Sequence, residues 1–216
     1  MSTARRTRDP ERTKANILKV ARQEFSDRGL HGARLDSIAA RTRTTKRMIY
    51  YYFGGGTARN SAKDQLYSAV LDQAIQELNA AETALDLESL PPRDAIRRVV
   101  GFYFDYYRSQ SGFTRLQITE NIYGARHIRR SKRIKSLRPP MPEKLQRVLQ
   151  RGLTSGDFRT TPDPVDLALL ISGQCFFRVT HQPVLDAVYE RATTSAEAIA
   201  QLKQQLGDVV LAYLSA

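Results

Sequence analysis

The stretch LDSIAARTRTTKRMIYYYF, residues 35–53, decides how this chain is read. It holds two short apolar-periodic segments on either side of a polar turn. Leu35, Ile38 and Ala39 fall on one face of a helix over 35–41. Thr45 then stands at the N-cap position of a second helix over 45–52. Two helices of these proportions, joined by a few residues, have the form of a helix-turn-helix. The second carries what a major-groove reader needs, donors at its start for base edges and groups on its flanks for phosphates. Lys46 and Arg47 are charged donors, and Arg47 has the fork that grips guanine in two places. Met48 can meet a thymine methyl. Tyr50, Tyr51 and Tyr52 cannot all point into one small core, so at least one presents its ring or hydroxyl outward.

Working outward, Ile17, Leu18, Ala21 and Phe25 predict a first helix over 10–28, with Pro10 tolerated in its first turn and Gly29 free to end it. After the second reader helix, GGGTARNS (54–61) is a loop by composition. Ser61 and Asp64 have capping-box spacing, with Asp in the usual place of Glu, and open a long helix through Leu66, Val70, Ile75 and Leu78. Pro91 and Pro92 break the chain. Helices are expected over about 93–109, with Ile96, Val99, Val100, Tyr103, Phe104 and Tyr107 on a broad apolar face, and over about 113–123. Pro139 and Pro140 mark another break, and helices over about 142–154, 163–181 and 194–214 complete the chain. No segment shows strand alternation, so the fold class is all-α: a three-helix helix-turn-helix domain over 1–60, with its loop at 54–62, followed by a helical domain over 61–216.

The charge is unevenly placed. The chain carries 34 Lys and Arg against 22 Asp and Glu, and of these 13 basic and 5 acidic residues fall within the first 52 positions. A basic head on a nearly neutral body points to a nucleic-acid reader joined to something else. The single cysteine, Cys175, allows no internal disulfide and suits a reducing compartment. The N-terminus has no apolar run behind its charges, and the stretch Val165–Val179 is too short and too polar to span a bilayer; both fit a cytoplasmic protein with no membrane partner. His31, His127 and His181 lie far apart, and no metal-ligand spacing, phosphate-cradling loop or nucleophile elbow is present, so neither an enzyme nor a metal or cofactor protein is expected.

Taken together, Ile17-Leu18, Phe25, Gly29, Ile38-Ala39, Thr45-Lys46, Ile49 to Phe53 and Leu66-Tyr67 resemble the N-terminal domain of TetR/AcrR-family regulators. The resemblance implies phosphate contacts by Tyr50 and Tyr52, base contacts by Lys46, Arg47, Met48 and Tyr51, and a cap at Thr45 that also reaches a phosphate. Lys63 matches a lysine that contacts phosphate in the family. Arg5, Arg6 and Arg8 would form a minor-groove arm or a solvated tail. Three departures stand out. Arg43 and Thr44 occupy the turn where Gly and Val are usual, so Arg43 must turn without glycine's freedom. Arg34 replaces a hydroxyl cap. About seven extra residues, Gly56–Ala62, precede Lys63, either as a bulge into solvent or, through Arg59 and Lys63, as added backbone contacts.

For the body, the resemblance implies an effector cavity and a homodimer through the last two long helices, with two readers on two half-sites of an operator. The helix over 163–181 is apolar around much of its circumference (Val165, Leu167, Ala168, Leu170, Ile171, Cys175, Phe176, Phe177), as a helix buried on several sides must be. The last repeats Ile199, Leu202, Leu206, Val209, Val210 and Tyr213. Candidate effector-binding residues are Tyr103, Tyr107, Gln117, Glu120, Asn121, His127, Gln174 and Arg178, polar groups on or beside apolar faces. The segment RHIRRSKRIKSLR (126–138) has seven basic residues and no acid; it is a solvated face, an attractor of an anionic effector, or an extra phosphate contact. ENIYGARHIRRSKRIKSL and PVDLALLISGQCFFRV are similar to the TetR-like subgroup that governs catabolism of pyrimidines and small aromatic acids, which implies an aromatic or heterocyclic acid as effector. The rival to a repressor released by an effector is a basic architectural DNA-binding protein that senses nothing.

Overall fold

The computed structural model describes residues 9–54, 61–190 and 195–216. These residues form twelve helices and no strand. The arm residues Arg5, Arg6 and Arg8, and Arg59 with most of the Gly56–Ala62 insertion, lie outside the described residues. The chain divides into two compact units that are not contiguous in sequence: residues 1–77 with 115–137, and 78–114 with 138–216.

In the first unit, α1 (Pro10–Gly32) is capped by Asp9, whose carboxylate accepts from the amides of Glu11 and Arg12, with Pro10 in the first turn. The helix kinks at Gly29, at φ 65° and ψ 176°, a region essentially reserved for glycine. One further turn follows, so α1 runs past the expected end at 28. Helices α2 (Leu35–Arg41) and α3 (Lys46–Phe53) sit where the periodicity places them, with Thr45 as the cap of α3 rather than its first residue. Ile17, Ala21, Phe25, Leu30, Ile38, Ile49 and Phe53 form the core, and Phe25 meets the Tyr67 ring edge-on at 5.1 Å. Helix α4 (Ala62–Ala84) opens with the reciprocal box: Ser61 Oγ lies 2.9 Å from Asp64 Oδ2, and the Asp64 amide donates back to Ser61 Oγ.

The start of α2 is held from a distance. Arg34 offers no side-chain cap. The Glu24 carboxylate on α1, only 3% exposed, does that work. Its Oε1 accepts from the Arg34 amide at 3.2 Å, and its Oε2 accepts from Ser37 Oγ at 2.9 Å and Arg41 Nη1 at 3.4 Å. Arg28 Nε lies 3.4 Å from Oε1. An anion at a helix start also complements the helix dipole.

The first unit is completed by the return of the chain through most of α6 (Ser111–Ile122), α7 (Arg126–Arg130) and α8 (Lys132–Ser136). The last two are shorter than the periodicity could resolve. In the second unit, α5 (Pro92–Ser109) packs Ala95, Ile96, Val99, Val100, Tyr103, Phe104 and Tyr107 against α9 (Met141–Ser155), α10 (Pro164–Thr180) and α12 (Ala196–Ser215). A short α11 (Gln182–Tyr189), absent from the periodicity reading, joins α10 to the final segment. Glu82 is buried there, accepting from the Tyr103 hydroxyl at 2.8 Å and the Met141 amide; burial holds its carboxyl above the usual range.

Two stability outcomes follow. Glu24→Ala strands the Arg34 amide and the Ser37 hydroxyl and is expected to cost about 1–3 kcal/mol in urea unfolding. Arg43 sits at φ 52°, in the left-handed region. Arg43→Gly is expected to raise stability by roughly 0.5–1 kcal/mol, because the relieved backbone penalty is partly offset by glycine's greater freedom in the unfolded chain.

Candidate nucleic-acid interface

Helix α3 has two unlike faces. Ile49 and Phe53, one turn apart, are buried against the first unit's core. Tyr51 is 77% exposed and Tyr50 50% exposed. Tyr52 is half-buried, with its ring edge-on to Tyr51 at 5.2 Å and inclined to Phe53 at 6.4 Å. Arg47 and Lys46 are exposed, and Met48 is half-buried. The seven residues Thr45, Lys46, Arg47, Met48, Tyr50, Tyr51 and Tyr52 therefore share one short helix and its cap, while the apolar anchors of that helix point the other way. Rigid rings packed edge to edge hold two hydroxyls in place at little entropic cost.

Local contacts set the pose of the helix. Thr45 Oγ1 accepts from the Met48 amide at 3.3 Å. The Arg43 amide donates to the Ala40 carbonyl and the Thr44 amide to the Ala39 carbonyl, closing the end of α2 while Arg43 takes its left-handed turn. Lys46 Nζ lies 3.1 Å from Asp36 Oδ1 on the first turn of α2. Both groups are exposed, and such a surface pair is worth about 0–1 kcal/mol, so it does not hold the lysine back from a competing anion. Lys63 is placed differently. Its ammonium donates to the His31 carbonyl at 3.0 Å, tying the start of α4 to the end of α1, and partial burial lowers its pKa against the pull of Asp64 and Glu24.

The candidate effector residues divide between the two units. In the second unit Tyr103 and Tyr107 are buried with rings stacked at 5.8 Å, and burial pushes both hydroxyls well above their usual pKa. Gln174 is exposed and Arg178 half-buried on α10. In the first unit the buried Glu120 carboxylate accepts from the His127 amide at 2.7 Å and the Ile128 amide at 3.2 Å, and lies 2.9 Å from His127 Nδ1. Asn121 is exposed, and Gln117 Oε1 is buried with no hydrogen-bond partner among the described residues, as is the Tyr67 hydroxyl. Sequence patterning gives no signal for Glu24, whose role depends on burial, nor for the Lys46–Asp36 pair or the lodging of Lys63 on the His31 carbonyl.

Comparison with known proteins supplies the wider frame. Residues 17–58 match the model of bacterial regulatory proteins of the tetR family, and residues 92–210 match a tetracyclin repressor-like C-terminal domain. The chain is similar to the HTH-type transcriptional repressor NicS of Pseudomonas putida, at 30% identity over 185 residues, covering 86% of this chain and 84% of that one. It is also similar to the HTH-type transcriptional repressor SCO4008 of Streptomyces coelicolor, at 34% identity over 122 residues and 56% of each chain. Among solved structures it resembles the transcriptional regulator SCO4942 of Streptomyces coelicolor, at 25% identity and a TM-score of 0.67, covering 93% of this chain and 97% of that one.

Base readers and phosphate contacts give different signatures. Arg47→Ala and Tyr51→Ala are expected to weaken binding to the chain's own promoter about 10–100-fold each and to lower its preference over scrambled DNA. Tyr50→Phe, which removes only a hydroxyl, is expected to weaken both duplexes by the same few-fold factor. Fluorescence anisotropy on the two duplexes reads the difference, and a selectivity change in Tyr50→Phe would reassign that residue.

Proposed function

The chain belongs to the TetR family of bacterial regulatory proteins and is a DNA-binding transcriptional regulator, and from that premise we propose that it is a repressor released from its operator by a small-molecule effector. The observation that carries the reading is α3: a capped helix, anchored by Ile49 and Phe53, that turns Arg47, Tyr50 and Tyr51 outward. Thr45, Lys46, Met48, Tyr52 and Lys63 complete the proposed DNA set. We assign residues 1–60 to base reading, with Lys63 contributing from the start of the next domain, and 61–216 chiefly to sensing and dimerisation. The relative that matches over 86% of this chain is named a repressor, which supports repression.

A homodimer is supported by the outer faces of the second unit. Helix α10 buries Leu167, Ala168, Ile171 and Cys175, yet leaves Val165, Leu169, Leu170 and Phe177 exposed. Helix α12 buries Ile199, Val210 and Leu211 and exposes Val209 and Tyr213. An apolar stripe on each of two neighbouring helices is what a second copy would cover. Two recognition helices would then read two half-sites one helical turn apart, or a multiple of it.

The effector class we propose is an aromatic or heterocyclic acid. The similarity of 120–137 and 164–179 to the aromatic-acid and pyrimidine subgroup supports it. In the first unit, Gln117, whose buried oxygen has no hydrogen-bond partner among the described residues, is suited to orient such a ligand; in the second unit, taken by itself, the half-buried cation of Arg178 is the matching candidate. Tyr103 is committed to Glu82, and Glu120 to His127, so these three candidates serve the ligand only by exchanging a partner. Helix α4 belongs partly to each unit and is the chain segment through which sensing would reach the reader.

A salt series of binding to the chain's own promoter, with and without aromatic acids, tests the reading. Promoter-selective binding released by a subset of acids is expected. Equal, steeply salt-dependent binding to promoter and scrambled DNA, indifferent to every acid, would mean an architectural protein instead. In sedimentation, the wild type is expected as a dimer and Leu169→Glu with Val209→Glu as a monomer with operator affinity lowered at least tenfold; a double variant that stays dimeric would move the interface elsewhere.

A further inference from the structure

The basic run 126–138 reads on its own as a solvated face. Its surroundings in the fold say more. All but its last residue belong to the same compact unit as the recognition helix, and that unit holds nearly all the chain's charge imbalance. Residues 1–77 with 115–137 contain 22 basic and 9 acidic residues, whereas the rest of the chain contains 12 and 13.

The run is also fixed in place rather than loose. A turn with Gly124 at φ 62° and Ala125 at φ 58° leads into α7. The buried Glu120 carboxylate takes the first amides of that helix. Arg126 Nη2 and His127 Nε2 lie 3.7 and 3.6 Å from Asp64 Oδ1, on the first turn of α4 and next to Lys63. Ser131 caps α8 through the Ile134 amide and donates from Oγ to Asp72 at 2.8 Å. Arg133 donates to Gln76 at 2.9 Å.

With Arg126 and Arg133 spent on these anchors and Arg138 in the other unit, four cations remain. Arg129, Arg130, Lys132 and Lys135 are exposed, and none lies within ion-pair distance of a carboxylate among the described residues. Four such cations within seven residues stand within about one Debye length (~8 Å) of their neighbours at physiological salt and repel one another. A rigid scaffold that holds them together and leaves them unneutralised is suited to a dense, regular anion.

We propose that Arg129, Arg130, Lys132 and Lys135 form a second DNA-contacting surface of the reading unit, which neutralises backbone phosphates of double-stranded DNA and adds affinity without adding sequence preference. The inference rests on the reading of α3 as a DNA-recognition helix. Phosphate contacts carry no sequence information, but each releases condensed counterions, so their signature is the salt dependence of binding.

The test uses the full chain and the variant R129Q/R130Q/K132Q/K135Q, titrated on the promoter duplex and on scrambled DNA across a salt series. For the variant, the slope of log affinity against log salt is expected to become shallower by about 0.9 for each phosphate that is no longer neutralised. Affinity for both duplexes should fall by the same factor, leaving their ratio unchanged. The charge-preserving variant R129K/R130K/K132R/K135R should keep the wild-type slope, which separates lost charge from lost structure. A slope unchanged in the glutamine variant overturns the proposal, as does an unchanged slope with a lost response to anionic effectors. The scrambled duplex keeps the two readings apart: a wild type without promoter selectivity sinks the operator reading, while the slope difference on scrambled DNA still decides the segment.

Discussion

A single buried carboxylate sets the geometry of the reading head. Helix α2 has seven residues and no side-chain cap of its own, and a helix this short is not stable alone. Glu24 supplies the missing acceptor from α1 through Oε1 and draws Ser37 and Arg41 to its other oxygen. The pose of α2 relative to α1 is thereby fixed, and α3 hangs from α2 through the turn at Thr42–Thr44. A change at Glu24 would therefore be felt at Tyr51 without touching it. Recognition of base edges needs side chains placed to fractions of an ångström, so the anchor of α2 is as much a part of reading as the residues that face outward.

How much of this could be read in advance depends on the range of the interaction. Helix α3 was legible because its signals are local: Thr45 at the cap, Ile49 and Phe53 one turn apart, and three tyrosines that no small core can take. The left-handed turn at Arg43 was legible only through the family resemblance, which puts glycine at that position; nothing in the neighbouring residues marks it. Glu24 was not legible. Next to Arg28, one turn on, it looks like half of an exposed helix pair, and only the arrival of Arg34 and Ser37 from another helix shows it buried. Helices α7 and α8 were missed because five residues carry too little periodicity. Glu120 caps the first from seven residues away, and Ser131 then caps the second.

Helix α10 shows the middle case. Its apolar circumference announced burial on more than one side, but not which side faces the subunit's own core. The structure gives Leu167, Ile171 and Cys175 to α5 and its neighbours and leaves Leu169 and Phe177 outside. Cys175 is sealed in, its thiol pushed up to about 12 by burial, so it acts as a small apolar residue and not as a nucleophile. Among the candidate effector residues the same distinction applies. Tyr103, Glu120 and His127 looked available because sequence shows a polar group without showing its partner, whereas the fold has already engaged all three.

The division of charge follows from topology rather than from chain order. Counting along the sequence assigns the basic excess to the first quarter and treats 126–138 as a separate run in a neutral body. The chain, however, leaves the first unit near Glu77 and re-enters it at Arg115, so the second basic run joins the first. The anchors that hold it are drawn from α4 (Asp64, Asp72, Gln76), and they consume two cations while leaving four. A solvated loop needs no such fastening, because ordering its backbone costs roughly 1–2 kcal/mol per residue with nothing gained in return. Fixed, unneutralised charge on the unit that carries the recognition helix is better explained by an anionic partner of that unit than by solvent.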